Sequence, residues 1–249
     1  MYQFFIEDEN AAEDFVTIEG SDVNHIKNVL RMKPGEKIRV CTRNGQNYFC
    51  SISDITESFV RADILEKEAE STELPCRIYL FQGLPKNDKM EWIIQKTVEL
   101  GVYEVIPVAM KNCVVKLDDK KAKSKVMRWQ AIAESAAKQS KRSLIPEVKM
   151  PMSYKEAVAY AKKLDVKLVP YENEHGMAGT KAAMEQIKKG ESIAVFIGPE
   201  GGFAPEEIAL VQDEMQLISL GKRILRTETA GIAALAILGY QLESSDMIE

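Results

Sequence analysis

Ile193-Ala194-Val195-Phe196-Ile197-Gly198-Pro199-Glu200-Gly201-Gly202-Phe203 joins an unbroken apolar run to a loop with three glycines in five positions. The run is a strand candidate, and the loop directly after it can let its backbone approach a ligand closely and expose N–H groups. A plain tight turn rarely needs so many glycines. The loop lacks the GK[ST] ending of a phosphate-binding P-loop, and no GxGxxG follows the first strand of its unit.

On either side of this stretch, from Arg77 onward, strand candidates alternate with helical patterns. The strands are expected at 77–83, 103–108, 166–170, 193–197 and 217–220. The helices are expected at 88–100, 119–142, 153–164, 180–189, 205–214 and 228–243. That alternation predicts a parallel α/β sheet, whose ligands bind at the carboxyl ends of the strands. Two further strand ends therefore matter: Val169-Pro170-Tyr171-Glu172, and Leu220 through Gly231, where Thr227 and Glu228 stand at a helix N-terminus. Thr227 as a simple helix cap is the plainer alternative. Ser153 with Glu156 predicts a capping box, and Pro205 suits a first helical turn.

The first 70 residues are β-rich, with short runs at Tyr2 to Ile6, Phe15 to Ile18, Lys37 to Thr42, Gln46 to Ile52 and Phe59 to Leu65. Asn44-Gly45 predicts a type I′ hairpin turn, and one helix from Asp22 to Arg31 stops before Lys33-Pro34-Gly35. A small β-barrel over 1–70 is the economical fold, followed by an acidic linker from Glu66 to Glu73 and a second domain over 74–249.

Composition narrows the function. The 249 residues are 45% hydrophobic and 29% charged, which is ordinary for a globular protein. Ile232 to Leu238, the longest apolar run, is far short of the roughly 20 residues that cross a bilayer. The N-terminal ten residues lack the basic start of a signal peptide, so a cytosolic location is expected. Cys41, Cys50, Cys76 and Cys113 form no CxxC pair and read as buried free thiols; His25 and His175 are too few for a histidine-rich metal site. The net charge of −5 is unevenly spread. Residues 1–72 hold 8 Lys/Arg against 14 Asp/Glu, whereas residues 86–142 hold 13 against 7, an excess compatible with a phosphate-facing surface or with a solvated helix. Within that segment Val126, Trp129, Ile132, Ala133 and Ala136 form an apolar stripe that runs on to Gln139 and Arg142.

Four segments in order resemble the RsmE-type ribosomal RNA methyltransferases of the SPOUT superfamily: Ile93 to Gly101, Ala136 to Arg142, Phe196 to Phe203, and Leu220 to Ala230. His25-Ile26-Lys27-Asn28-Val29-Leu30-Arg31-Met32 is similar to the helix of that family's PUA-like barrel. Lys138 stands where a glutamate is common. The resemblance implies an α/β SPOUT domain with a C-terminal trefoil knot behind a PUA-like RNA-binding barrel, a homodimer, and no metal. It implies transfer of a methyl group from S-adenosylmethionine to N3 of a uridine in 16S ribosomal RNA, position 1498 in the usual numbering, in the small ribosomal subunit.

Carried over by position, the cofactor would meet Leu168, Pro170, Glu172, Ile197, Gly198, Pro199, Glu200, Gly201, Gly202, Leu220, Gly221, Ile224, Leu225, Arg226, Thr227, Thr229 and Ala230. Gln139 and Arg142 would orient the uracil or its phosphate, and Glu228 is the candidate carboxylate for the N3 proton. His25, Arg31, Lys89, Lys96, Lys138, Lys141 and Arg142 are the expected RNA contacts. A non-catalytic ribosome-assembly factor and a nucleotide-binding metabolic enzyme are the rival classes.

Overall fold

Alternating apolar side chains build the N-terminal sheet of the computed structural model, which describes residues 1–68, 71–174 and 176–245. The expected boundary at Glu70 lies outside the described residues, as do Ala69 and His175. Strands β1 (Tyr2–Ile6), β2 (Phe15–Glu19), β3 (Lys37–Thr42), β4 (Asn47–Ile55) and β5 (Phe59–Glu68) pair in the order β1-β3-β4-β5-β2. Only β1 and β3 run parallel. Because successive side chains point to opposite faces, Val16 and Ile18, Ile38 and Val40, Cys50 and Ile52, and Val60 and Ala62 share one core. Register shifts at Phe49/Cys50 and Ile52/Asp54 are the kind of irregularity that bends a sheet, and this sheet is curled around that core.

Three expectations for this part need correction. The β3–β4 hairpin forms, but Gly45 has φ of 88° while Asn44 is not left-handed, so the turn is not type I′. Gly45 N–H bonds Thr42 O at 3.1 Å and the Thr42 hydroxyl reaches Asn44 Oδ1 at 2.5 Å, so the side chains of the loop set its shape. The expected helix is α1 (Ser21–Asn24), continuing as a wider π turn over His25–Val29 and stopped at Arg31, whose φ is 54°. The expected linker begins as strand, since β5 runs to Glu68.

The chain divides into two compact units, residues 1–73 with 137–145, and residues 74–136 with 146–249. Residues 137–145, expected in the second domain, are stitched into the first by buried polar groups. Gln3 Nε2 donates to Arg142 O at 2.6 Å, Arg39 Nη1 to Lys141 O at 2.8 Å, and Asn47 Nδ2 to Ser143 Oγ at 2.8 Å.

In the second unit, β6 (Arg77–Gly83), β7 (Val102–Ala109), β8 (Glu147–Val148), β9 (Met152–Ser153), β10 (Val166–Pro170), β11 (Ser192–Ile197) and β12 (Gln216–Ile218) form an all-parallel sheet in the order β12-β10-β11-β6-β7-β8, with β9 also on β7. The connecting helices are α2 (Lys89–Glu99), α3 (Asp119–Ser140), α4 (Tyr154–Ala161), α5 (Ala178–Glu185), α6 (Pro205–Ala209) and α7 (Thr227–Ser245). The capping box at Ser153 and the first-turn Pro205 are both present. Phe81 stacks on its register partner Phe196 with ring centroids 4.4 Å apart, tying β6 to β11 at the centre of the core. Helix α6 is shorter than the expected 205–214, and β8 and β9 are too short to show as runs.

Helix α3 ends at Ser140 instead of 142, because Lys141 adopts φ of 63° and the Arg142 N–H turns back to Ala137 O at 3.1 Å. This is a left-handed helix stop that usually carries glycine.

Candidate functional site

The carboxyl ends of β10, β11 and β12 open into one cleft of about 670 Å³. That lies within the size range of ordinary small-molecule sites. Three loops wall it, at 170–174, 197–203 and 219–227, together with Lys89 and Ala230. Of the residues expected at a cofactor, all line this cleft except Leu168, Gly201 and Thr229. Leu168 lies in strand β10 and is fully buried in the core. Gly201 faces away from the cleft: a Cβ there would stand 2.9 Å from Asn112 Cβ, and Asn112 Nδ2 donates to Gly201 O at 3.0 Å and Gly202 O at 3.2 Å. Its bare Cα therefore admits Asn112, not a ligand.

The glycine loop rests on Gly83, which closes β6. A Cβ on Gly83 would lie 2.6 Å from Pro199 N and 2.8 Å from Pro199 Cδ, so Gly198-Pro199 sits where a side chain would be. Gly83 and Asn112 were not singled out from the sequence. The adjacency of Gly83 to a strand end was the available signal, while Asn112 offered none.

Thr227 is the first residue of α7 and not its cap; the Ala230 N–H bonds Arg226 O at 2.8 Å. Its hydroxyl donates to Gly198 O at 2.6 Å and accepts from Gln82 Nε2 at 2.9 Å. Tyr171, Glu174, Phe203, Ser219, Lys222 and Arg223 complete the lining.

One wall is charged. Lys89 Nζ lies 3.0 Å from Glu200 Oε1 and 3.3 Å from Glu228 Oε2. The Lys86 N–H also donates to Glu200 Oε1 at 3.0 Å. Burial pushes the Glu200 carboxyl up, but its own backbone N–H, Lys89 and the Lys86 N–H together outweigh that and hold it below the usual glutamate value. The Lys89 ammonium is held above the usual lysine value chiefly by Glu200, with Glu228 adding to this against partial desolvation. Lys89, expected at RNA, thus belongs to the cleft, while Glu228 is not part of the lining and is turned onto Lys89.

The other expected residues are placed differently. Gln139 is exposed and does not prolong the buried stripe of α3. Arg142 is only 3% exposed, and its Nε and Nη2 donate to Glu73, whose Oε1 also accepts the Ser143 N–H at 2.8 Å. The expected linker residue Glu73 is thus an ion-pair partner, and Arg142 presents no free guanidinium to a substrate. Both Gln139 and Arg142 belong to the N-terminal unit. Lys138 pairs with Asp22 at 2.9 Å, Lys96 with Glu99 at 2.8 Å, and Lys141 Nζ donates to Met1 O at 2.7 Å. His25 and Arg31 are exposed. Many basic side chains of this segment are thus held in ion pairs, which also take up Lys111, Lys121, Lys125 and Arg128.

A parallel sheet with glycine-bearing loops gathered at its strand ends, following a curled β-sheet unit in the chain, defines a two-part α/β protein with a small-molecule cleft. Residues 72–239 match the family model of an RNA methyltransferase domain, and residues 18–65 that of an RNA methyltransferase PUA domain. Ribosomal RNA small subunit methyltransferase E of Bacillus subtilis (strain 168) is 39% identical over 98% of both chains. A crystal structure described only as that of an hypothetical protein is 38% identical, with a TM-score of 0.91 over 98% of this chain and 99% of that one. The Neisseria gonorrhoeae ribosomal RNA small subunit methyltransferase E, solved bound to S-adenosyl methionine, is 33% identical, with a TM-score of 0.82 over 96% of this chain and 97% of that one. The chain belongs to the ribosomal RNA small subunit methyltransferase E family, with a PUA domain followed in the chain by an RNA methyltransferase domain.

Proposed function

We propose that this protein methylates N3 of uridine 1498 of 16S ribosomal RNA, using S-adenosylmethionine held in the cleft of the C-terminal unit, and that its substrate is the assembled small ribosomal subunit. The observation that carries this reading is the convergence of three strand-end loops on one cleft, with Gly198-Pro199 seated on a residue that has no side chain. The residues suit the cofactor. The lining combines apolar groups such as Ile197, Phe203 and Leu225 for an adenine ring with carboxylates, Glu172 among them, for ribose hydroxyls or amino groups.

When bound, S-adenosylmethionine supplies an already electrophilic methyl group, so the protein's work is alignment and charge. For N3 to accept that methyl group its proton would have to pass to water or to a carboxylate such as Glu228, and the negative charge left behind is shared with the uracil oxygens until N3 takes the methyl group. Lys89, Lys222, Arg223 and Arg226 all line the cleft; Lys89, whose position Glu200 and Glu228 fix, is assigned to stabilise this charge. Gln139, exposed at the end of α3, is assigned to the RNA together with His25 and Arg31. Arg142 supports the shape of that segment through Glu73. Homodimeric assembly, the trefoil-knotted path of the C-terminal segment and a cytoplasmic location are part of the same proposal. Among the described residues no helix is long and apolar enough to cross a membrane.

Titration calorimetry tests the cofactor assignment. S-adenosylmethionine should bind with a stoichiometry near one per chain; binding of ATP or NAD in its place would point to the metabolic-enzyme class, and no binding to the assembly-factor class. Lys89→Met should lower kcat with cofactor affinity nearly kept, and equal losses in both would refute the assigned role.

A further inference from the structure

We propose that Gln82, which does not line the cleft, is a positioning residue for the cofactor: its amide aims the Thr227 hydroxyl at Gly198 O and so holds the glycine loop in its binding shape. This inference rests on the assignment of S-adenosylmethionine to the cleft. Gln82 is fully buried near the end of β6, on the face of Leu80, opposite Ile197 in the parallel register. Its Nε2 donates to Gly83 O at 3.0 Å and to Thr227 Oγ1 at 2.9 Å. A hydroxyl has one proton, so a Thr227 that accepts from Gln82 is left to donate elsewhere, and it donates to Gly198 O at 2.6 Å.

The amide could not turn over without cost to this relay. With Oε1 toward Thr227, the hydroxyl proton would be drawn from Gly198 to Gln82, and two carbonyl oxygens would meet at Gly83. In the observed orientation Oε1 has no hydrogen-bond partner among the described residues. It faces Gly231 of α7, where a Cβ would stand 3.3 Å from it, beside Ile197 and Leu80. Its two donor bonds are thus offset by an acceptor buried among apolar groups, so the amide does little for global stability. What it does is local. Gln82 and Gly83 act on the same loop, one through the Thr227 hydroxyl on Gly198 O and the other through the space it leaves for Pro199.

The test is S-adenosylmethionine calorimetry, with thermal melting, on the full chain and on Gln82→Met, Thr227→Val, Thr227→Ser and the Gln82→Met/Thr227→Val double variant. Gln82→Met keeps the shape and loses the relay. It should melt within a few degrees of wild type yet bind the cofactor about tenfold more weakly, with KM for the cofactor raised and kcat recovered at saturation. Thr227→Val should lose as much and the double variant no more than either, because both break one relay. Thr227→Ser, which keeps the hydroxyl, should bind within threefold of wild type. Wild-type affinity in Gln82→Met, additive losses, or a weakening that merely follows a large drop in melting temperature would overturn the proposal. If Gln82→Met does not fold, equal affinities in Thr227→Val and Thr227→Ser would do so. Absence of binding by the wild type would instead overturn the cofactor assignment.

Discussion

Replacing Gly83 with alanine adds one methyl group at the contact that seats the cofactor loop. The new Cβ would lie 2.6 Å from Pro199 N, where ordinary contact begins at 3.4 Å, so the loop must retreat by about 0.8 Å. The obstacle is backbone and a proline ring, neither of which can swing aside. Gly83 is not among the residues with positive φ, so alanine suffers no backbone strain and even gains about 0.4–1 kcal/mol by restricting the unfolded chain. Overpacking of this kind costs about 1–3 kcal/mol. The net destabilisation should therefore be at most about 2.6 kcal/mol. Because the displaced segment is the cleft wall itself, cofactor affinity should fall about 10- to 100-fold, equivalent to about 1.4–2.8 kcal/mol. Urea denaturation reads the first quantity and calorimetry with S-adenosylmethionine the second. Gly239→Ala is the control, since a Cβ there meets nothing within 4 Å and the helix should gain about 1 kcal/mol. Affinity within twofold of wild type in a folded Gly83→Ala protein would refute the idea that the loop binds only in its seated position.

Three other perturbations have definite outcomes. Arg142→Ala leaves the Glu73 carboxylate without its guanidinium and should destabilise the N-terminal unit by about 3–5 kcal/mol in urea titrations, with Glu73→Gln restoring part of the loss in the double variant. Glu200 has a folded-state pKa below its ordinary value, so its contribution is fully present at neutral pH and is lost as pH falls through the folded value. The stability gap between wild type and Glu200→Gln should accordingly be open at pH 7 and close only as pH falls below the ordinary glutamate range in denaturant titrations. Burial pushes the Cys41 and Cys50 thiols up to about 12, so at pH 8 an aromatic disulfide reagent should modify half-buried Cys113 well before either, and reach both at once when urea unfolds the chain.

The parallel sheet was legible because its strands are short apolar runs closed by glycine or proline, as Ile193 to Gly198 is, and the cleft followed from the rule that such sheets bind at strand ends. What escaped was set by contacts distant in sequence. Nothing near Arg142 announces Glu73, and nothing near Lys89 announces Glu200 and Glu228, so a count of charges suggested a basic face where the fold made ion pairs. The stop at Lys141 carries no glycine, which hid the end of α3 and with it the return of 137–145 to the N-terminal unit, whereas the stop at Arg31 falls where the first helix was expected to end. Gly201 illustrates the same limit inside a motif. Its glycine was visible, but which neighbour required it was decided by Asn112, far away in the chain.

The most direct test is methylation of small ribosomal subunits prepared from cells that lack this modification, incubated with the protein and S-adenosylmethionine carrying a labelled methyl group. Nucleoside mass spectrometry and reverse-transcription arrest then locate the product. The account predicts close to one labelled 3-methyluridine per subunit, at position 1498, with far less on protein-free 16S RNA and strongly reduced turnover by Gly83→Ala at limiting cofactor. Label on a different base, or no label from S-adenosylmethionine on any form of the RNA, would contradict it.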